Sequence, residues 1–69
     1  MYIVIELQKN GDKVANIVSI YEDKNTADNK YFTILAAAAV SNVERHAVSM
    51  LEDTGFCLMS AYYDHTEDK

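Results

Sequence analysis

A chain of 69 residues with 49% hydrophobic and 25% charged side chains has material for one core and no second domain; a disordered tail would be poorer in apolar residues. Its formal net charge of −5, with 11 acidic residues against 6 scattered basic ones, excludes a sequence-independent grip on DNA or RNA, which needs clustered lysine and arginine to displace counterions. One cysteine excludes an internal disulfide, and two histidines without a second thiol exclude a tetrahedral zinc site, so a partner subunit is the remaining staple for a domain this small.

The first seven residues after Met1, YIVIELQ, are β-branched and aromatic enough to predict a strand over Tyr2–Gln8. Lys9-Asn10-Gly11-Asp12 follows, and its Asn-Gly pair suits the positive φ of a tight turn, so a hairpin is expected with Lys13–Tyr21 as its second arm. Alternation puts Val14, Val18 and Ile20 on one face of that arm, with Asn16 as the exception, and Ala15, Ile17, Ser19 and Tyr21 on the other. In the first arm Ile3, Ile5 and Leu7 form the stronger apolar row. Tyr2 and Val4, with Val48 and Met50 further on, mark a second face that is also partly apolar.

Residues 22–29 (EDKNTADN) break the alternation, and Asn25 or Thr26 can cap a helix whose first turn gains from Asp28. The helix is expected to run to about Ser41, with Ala27, Tyr31, Ile34, Leu35 and Ala38 on the stripe that packs on the sheet. From Ile34 to Val40 it is apolar all round. Ala36, Ala37 and Val40, flanked by Thr33, form a back face on which a second copy can pack closely, although alanine is also the best helix former when exposed. After a loop over Asn42–Arg45, a strand is expected at His46–Glu52, a turn at Asp53-Thr54-Gly55 and a strand at Phe56–Tyr63. Residues from Asp64 onward are polar and expected to fray. The fold class is therefore α+β: a single ββαββ domain over residues 1–69, a four-stranded antiparallel sheet with one helix on one face and strand order open.

Among chemistry-bearing residues, His46 follows the sole arginine, Arg45, and an imidazole near neutrality can relay a proton; a strand-end hydrogen bond is the more ordinary role. No spacing brings Cys57 or a serine to His46, so neither nucleophilic catalysis nor a metal site is expected. Asn42, Arg45 and His46 supply amide, guanidinium and imidazole donors just past the helix, a grouping that suits an anion at a subunit seam, or else an ordinary solvated loop. Five tyrosines, Tyr2, Tyr21, Tyr31, Tyr62 and Tyr63, offer rings for stacking on a flat ligand or for packing the sheet. The acidic residues are spread over turns and ends without a sustained row, a weak basis for mimicry of nucleic acid.

The segment KYFTILAAAAVSNVERHAV, continued by MLEDTGF and closed by YYDH, together with the opening MYIVIELQ, resembles small uncharacterised proteins encoded in prophages and other mobile elements of Firmicutes. The YxxxLAAAAVS helix followed by a histidine at a strand start is the most specific part, and the likeness spans nearly the whole chain. Glu44-Arg45 is more charged than in those proteins, which puts any general role of Arg45 in doubt. The resemblance implies a viral or mobile-element setting, and no activity.

Together these readings lead to a non-enzymatic homo-oligomeric accessory protein of the host bacterial cytosol. It is expected to sequester a small nucleotide-like signalling molecule, such as a cyclic nucleotide, at intersubunit pockets built from Asn42, Arg45, His46, Tyr31 and Tyr62. Thr33, Ala36, Ala37 and Val40 are the expected oligomer interface, and no cofactor, metal or membrane is involved. The alternatives are an acidic inhibitor of a host defence or nucleic-acid enzyme, and a structural virion component.

Overall fold

The computed structural model describes residues 1–66. Five elements follow one another as β1 (Tyr2–Asn10), β2 (Lys13–Tyr21), α1 (Lys24–Ala39), β3 (Arg45–Glu52) and β4 (Cys57–Asp64). The strands form one antiparallel sheet in the order β2-β1-β3-β4, so the chain leaves edge strand β2, crosses the sheet as α1 and returns beside β1. The expected ββαββ, α+β architecture is the one found.

The first hairpin closes one residue later than its Asn-Gly signal suggests. Asn10 pairs with Lys13, and the two loop residues are Gly11 and Asp12. Gly11 takes φ +65°, where a Cβ is disfavoured, and Asp12 stays at negative φ, which is the distribution of a two-residue loop with glycine first. The second hairpin carries a register shift: Met50 faces Met59 but Leu51 faces Cys57, leaving Leu58 as the extra residue of a bulge in β4.

The helix starts earlier than Asn25 or Thr26. Asp23 is its N-cap, and Asp23 Oδ2 accepts from both the Thr26 N–H and the Thr26 hydroxyl at 2.9 Å. Asp28 consequently lies beyond the first turn and pairs instead with Lys24 one turn back, at 2.9 Å. Ala27, Tyr31, Ile34 and Ala38 are buried and Leu35 half-buried, as the stripe requires. The helix ends without glycine or proline. The Val40 and Ser41 amides fold back to the Ala37 and Ala38 carbonyls, and the His65 imidazole donates from Nε2 to the Ala38 carbonyl at 2.9 Å.

That last bond corrects the expectation of a frayed end from Asp64. Asp64 is the last residue of β4, and the His65 amide donates to the Glu44 carbonyl at 2.7 Å. The remainder of the expected tail, residues 67–69, lies outside the described residues.

The core shows which of the two sheet faces the helix covers. The core joins Val4, Ala27, Tyr31, Ile34, Val48 and Met50, with Tyr2, Tyr21, Leu35, Leu58 and Met59 packed around it. The helix therefore sits on the Tyr2–Val4–Val48–Met50 side, and the Ile3, Ile5, Leu7 row looks away from it. The two faces differ most at the centre of β3: opposite Ile5 and Leu7 it offers Ser49 and Ala47, whereas on the Val4 side it offers Val48 and Met50, both fully buried.

Met50 at 0% exposure and Val40 at 83% bracket the energetic range of this small core. Met50→Ala is expected to cost about 2–5 kcal/mol, Asp23→Ala about 1 kcal/mol through loss of the cap, and Val40→Ser close to nothing. Urea unfolding at one fixed protein concentration, followed by far-UV circular dichroism, checks this order.

Candidate functional site

Register places the side chains of the uncovered sheet face in rows across the strands. Val14, Lys9, Arg45 and Asp64 form the first row; Asn16, Leu7, Ala47 and Tyr62 the second; Val18, Ile5, Ser49 and Ser60 the third; and Ile20, Ile3, Leu51 and Cys57 the last. Ala47, Ser49 and Ser60 are too small to fill their positions between larger neighbours. An open depression of about 680 Å³ results, lined by Leu7, Lys9, Arg45, Ala47, Ser49, Ser60, Ala61 and Tyr62.

Two cations stand at one end of it. Lys9 and Arg45 are direct cross-strand partners, and like charges placed so weaken a sheet. The Arg45 guanidinium lies over the Tyr62 ring, 4.8 Å from its centre, which fixes the fork and gives the charge a π-face. Asp64, on the other side of Arg45, is engaged by Thr66, whose amide donates to Asp64 Oδ1 at 3.0 Å and whose hydroxyl donates to the same oxygen. Those two bonds, more than Arg45 or His65, hold the Asp64 carboxyl below its ordinary range, so it stays ionised. The depression thus pairs a cationic end with a floor of small side chains, an aliphatic wall at Leu7 and an aromatic one at Tyr62.

Of the residues expected to bind ligand, the structure brings Arg45 and Tyr62 together here and separates the rest. Arg45 belongs to β3, not to the preceding loop, so alternation sends His46 to the helix side, where it is 4% exposed. Tyr31 is 3% exposed in the core, its edge against Phe32, and burial, with a smaller contribution from Cys57, raises its phenol above the usual value. It has no face to offer a ligand. Asn42 is exposed between α1 and β3 and lines neither this depression nor the small one formed by Lys9, Glu44, Arg45, Asp64 and Thr66. Lys9, Ala47, Ser49 and Ser60 were not legible as site residues, although small residues at alternate positions of β3 are a signal of a hollow. The expected interface residues Thr33, Ala36, Ala37 and Val40 are all exposed on the outer side of α1, joined there by Phe32.

A second polar group lies under the helix end. His46 Nε2 meets Glu6 Oε2 at 2.6 Å, His46 Nδ1 meets Ser41 Oγ at 3.2 Å, and Gln8 Nε2 donates to the same Glu6 oxygen at 3.0 Å. A neutral ring accepts the Ser41 hydroxyl and donates to Glu6, while a protonated ring donates at both nitrogens, so both states are satisfied. Serine, imidazole and carboxylate are connected in the order that acyl transfer uses. The ring is buried, the group stands at the carbonyl end of α1, and the Ser41 hydroxyl oxygen also accepts from the Val43 amide at 3.3 Å. What it does is tie the helix end to β1 and β3. Among the described residues no group of three or more His, Cys, Asp or Glu side chains is gathered to hold a metal ion, and no helix is long and apolar enough to cross a membrane.

Comparison with known proteins finds no matching family model, no matching curated protein and no matching solved structure.

Burial alone would raise the Glu6 pKa, but the His46 and Gln8 hydrogen bonds, with the charges of His46 and Lys30, outweigh it and hold the carboxyl below its ordinary 4.5. A depressed carboxyl stabilises the fold above the unfolded value of 4.5 and loses that contribution as pH falls through the lower folded value. The stability gap between the parent and Glu6→Gln is therefore expected to shrink as pH falls below 4.5, as read from urea midpoints across a pH series.

Proposed function

We propose that this chain is a non-catalytic binding protein. It holds a small, flat, anionic ligand of the nucleotide kind in the depression of its open sheet face and acts as an assembly of identical subunits. The observation that carries the reading is the placement of Lys9 beside Arg45, with the guanidinium set on Tyr62, at the end of a hollow floored by Ala47, Ser49 and Ser60. Two like charges side by side weaken a sheet, and an anion between them turns that cost into affinity. Arg45 presents a planar fork to a phosphate, Lys9 a point charge, the serine hydroxyls donors and acceptors, and Leu7 with Tyr62 the walls for a flat body.

No carboxylate, imidazole or thiol is among the side chains that line the hollow, which supports retention of a ligand over its conversion. In the prophage or mobile-element setting that the sequence resembles, such a protein works by occupancy, withdrawing a host signalling nucleotide, a cyclic one included, in the host cytosol. Self-association is supported by the outer stripe of α1, where Phe32, Thr33, Ala36, Ala37 and Val40 offer a second copy a shallow apolar surface.

Native mass spectrometry of protein taken gently from lysate, followed by calorimetric titration with cyclic and linear nucleotides, tests this. Arg45→Ala and Lys9→Ala are each expected to weaken binding by about tenfold or more without altering the circular dichroism spectrum. The ligand released on heating should be chemically intact. A ligand returned altered, or a host polypeptide retained in place of any small molecule, overturns the reading. Ala37→Glu is expected to lower the subunit count; an unchanged solution mass removes the α1 stripe as a contact.

A further inference from the structure

We propose that β2 is the seat of a second copy of this chain, paired antiparallel along its free edge so that the two four-stranded sheets become one. The two edges of the sheet differ. β4 carries the bulge at Leu58, which disturbs the ladder and twists the strand, whereas β2 pairs with β1 in unbroken register from Lys13 to Tyr21 and contains no proline. Lys13 is the one charge along its nine residues. Its side chains are exposed on both faces: Val14 (59%), Val18 (54%) and Ile20 (60%) on the open side and Ile17 (54%) on the helix side. A long, clean, apolar edge is what natural sheets avoid unless it is used.

The hairpin fixes which backbone groups are free. Asn10 and Lys13 flank a two-residue loop, so they are a hydrogen-bonded pair, and bonded and non-bonded pairs alternate along an antiparallel ladder. Val14, Asn16, Val18 and Ile20 therefore direct their N–H and C=O groups away from β1. Only registers that match this set to itself can form, and the one that pairs the whole strand places Ile17 opposite Ile17 of the second copy. Asn16 then bonds Val18, and Val14 bonds Ile20, in both directions. The contact is self-complementary, as a twofold axis demands. It keeps the two Lys13 side chains at opposite ends, each facing Tyr21 and lying next to Glu22 and Asp23 of the other copy, so no like charges meet within the paired strands. The axis is normal to the sheet, which leaves both helices on one side and both hollows on the other. Because the hollow is built by β1, β3 and β4, pairing at β2 neither fills it nor requires it, and the inference stands apart from the ligand reading.

Amide hydrogen exchange and solution mass test this together. In the parent protein at micromolar concentration, the Val14, Asn16, Val18 and Ile20 amides are expected to be protected like their in-ladder neighbours Ala15, Ile17 and Ser19. Val18→Pro removes an outward N–H without touching the β1 ladder, and Ile17→Lys sets two cations face to face. Each is expected to halve the subunit count and to expose the four outward amides, with circular dichroism unchanged; should the proline variant unfold, Ile17→Lys decides. Ala37→Glu is expected to leave those amides protected. A parent of single-subunit mass, outward amides that exchange freely, or a folded Ile17→Lys variant of parental mass overturns the proposal.

Discussion

One helix can cover one face of a four-stranded sheet, and everything else about this protein follows from which face it took. A single sixteen-residue helix has one stripe to give, and Ala27, Tyr31, Ile34 and Ala38 give it to Val4, Val48 and Met50. Among the described residues, the opposite face keeps Ile3, Ile5, Val18 and Ile20 without a second layer. The outer side of the helix is apolar too. A chain this short seals one face and leaves large apolar side chains exposed on the other and along the helix.

The polar residues of the covered face follow from the same packing. At the Met50 end the helix lies against large apolar side chains. At the other end its last turn meets a gap that no Leu or Met fills, and the gap is closed by Glu6, His46, Gln8 and Ser41, each bonded to another. His65, directly after β4, donates to the Ala38 carbonyl near the helix end, its ring stacked parallel to that of Tyr63. The buried imidazole and half-buried carboxylate specify geometry more than they add stability, since removing either leaves the other without its closest partner, with only Ser41 or Gln8 remaining.

Much of the fold could be read from residue order because its signals are local. The two hairpins are announced by Gly11 and Gly55, and the stripe from Ala27 to Ala38 by helical spacing. The N-cap is not legible locally, because EDKNTADN holds several residues able to cap and the choice of Asp23 depends on where Tyr21 leaves the sheet. Arg45 and His46 look like one group in sequence and are two in space, since a strand turns neighbours to opposite faces and the start of β3 was set one residue late. Tyr31 could not be both core stripe and ligand contact, and its helical spacing already favoured the first. The Glu6–His46 bond joins residues forty apart through the β1–β3 pairing, and no local pattern reports strand order. Ala47, Ser49 and Ser60 make a hollow only where β3 and β4 lie side by side.

The bulge at Leu58 has a consequence for growth. A sheet with two clean borders is a monomer of a fibre, because each addition leaves a fresh template at either end. Here the bulge at Leu58 interrupts the β4 margin and leaves Met59–Asp64 in regular register, a shorter clean border than the nine residues of β2. One extra residue in the last strand thus makes the two borders of the sheet unequal, a bias against end-to-end stacking.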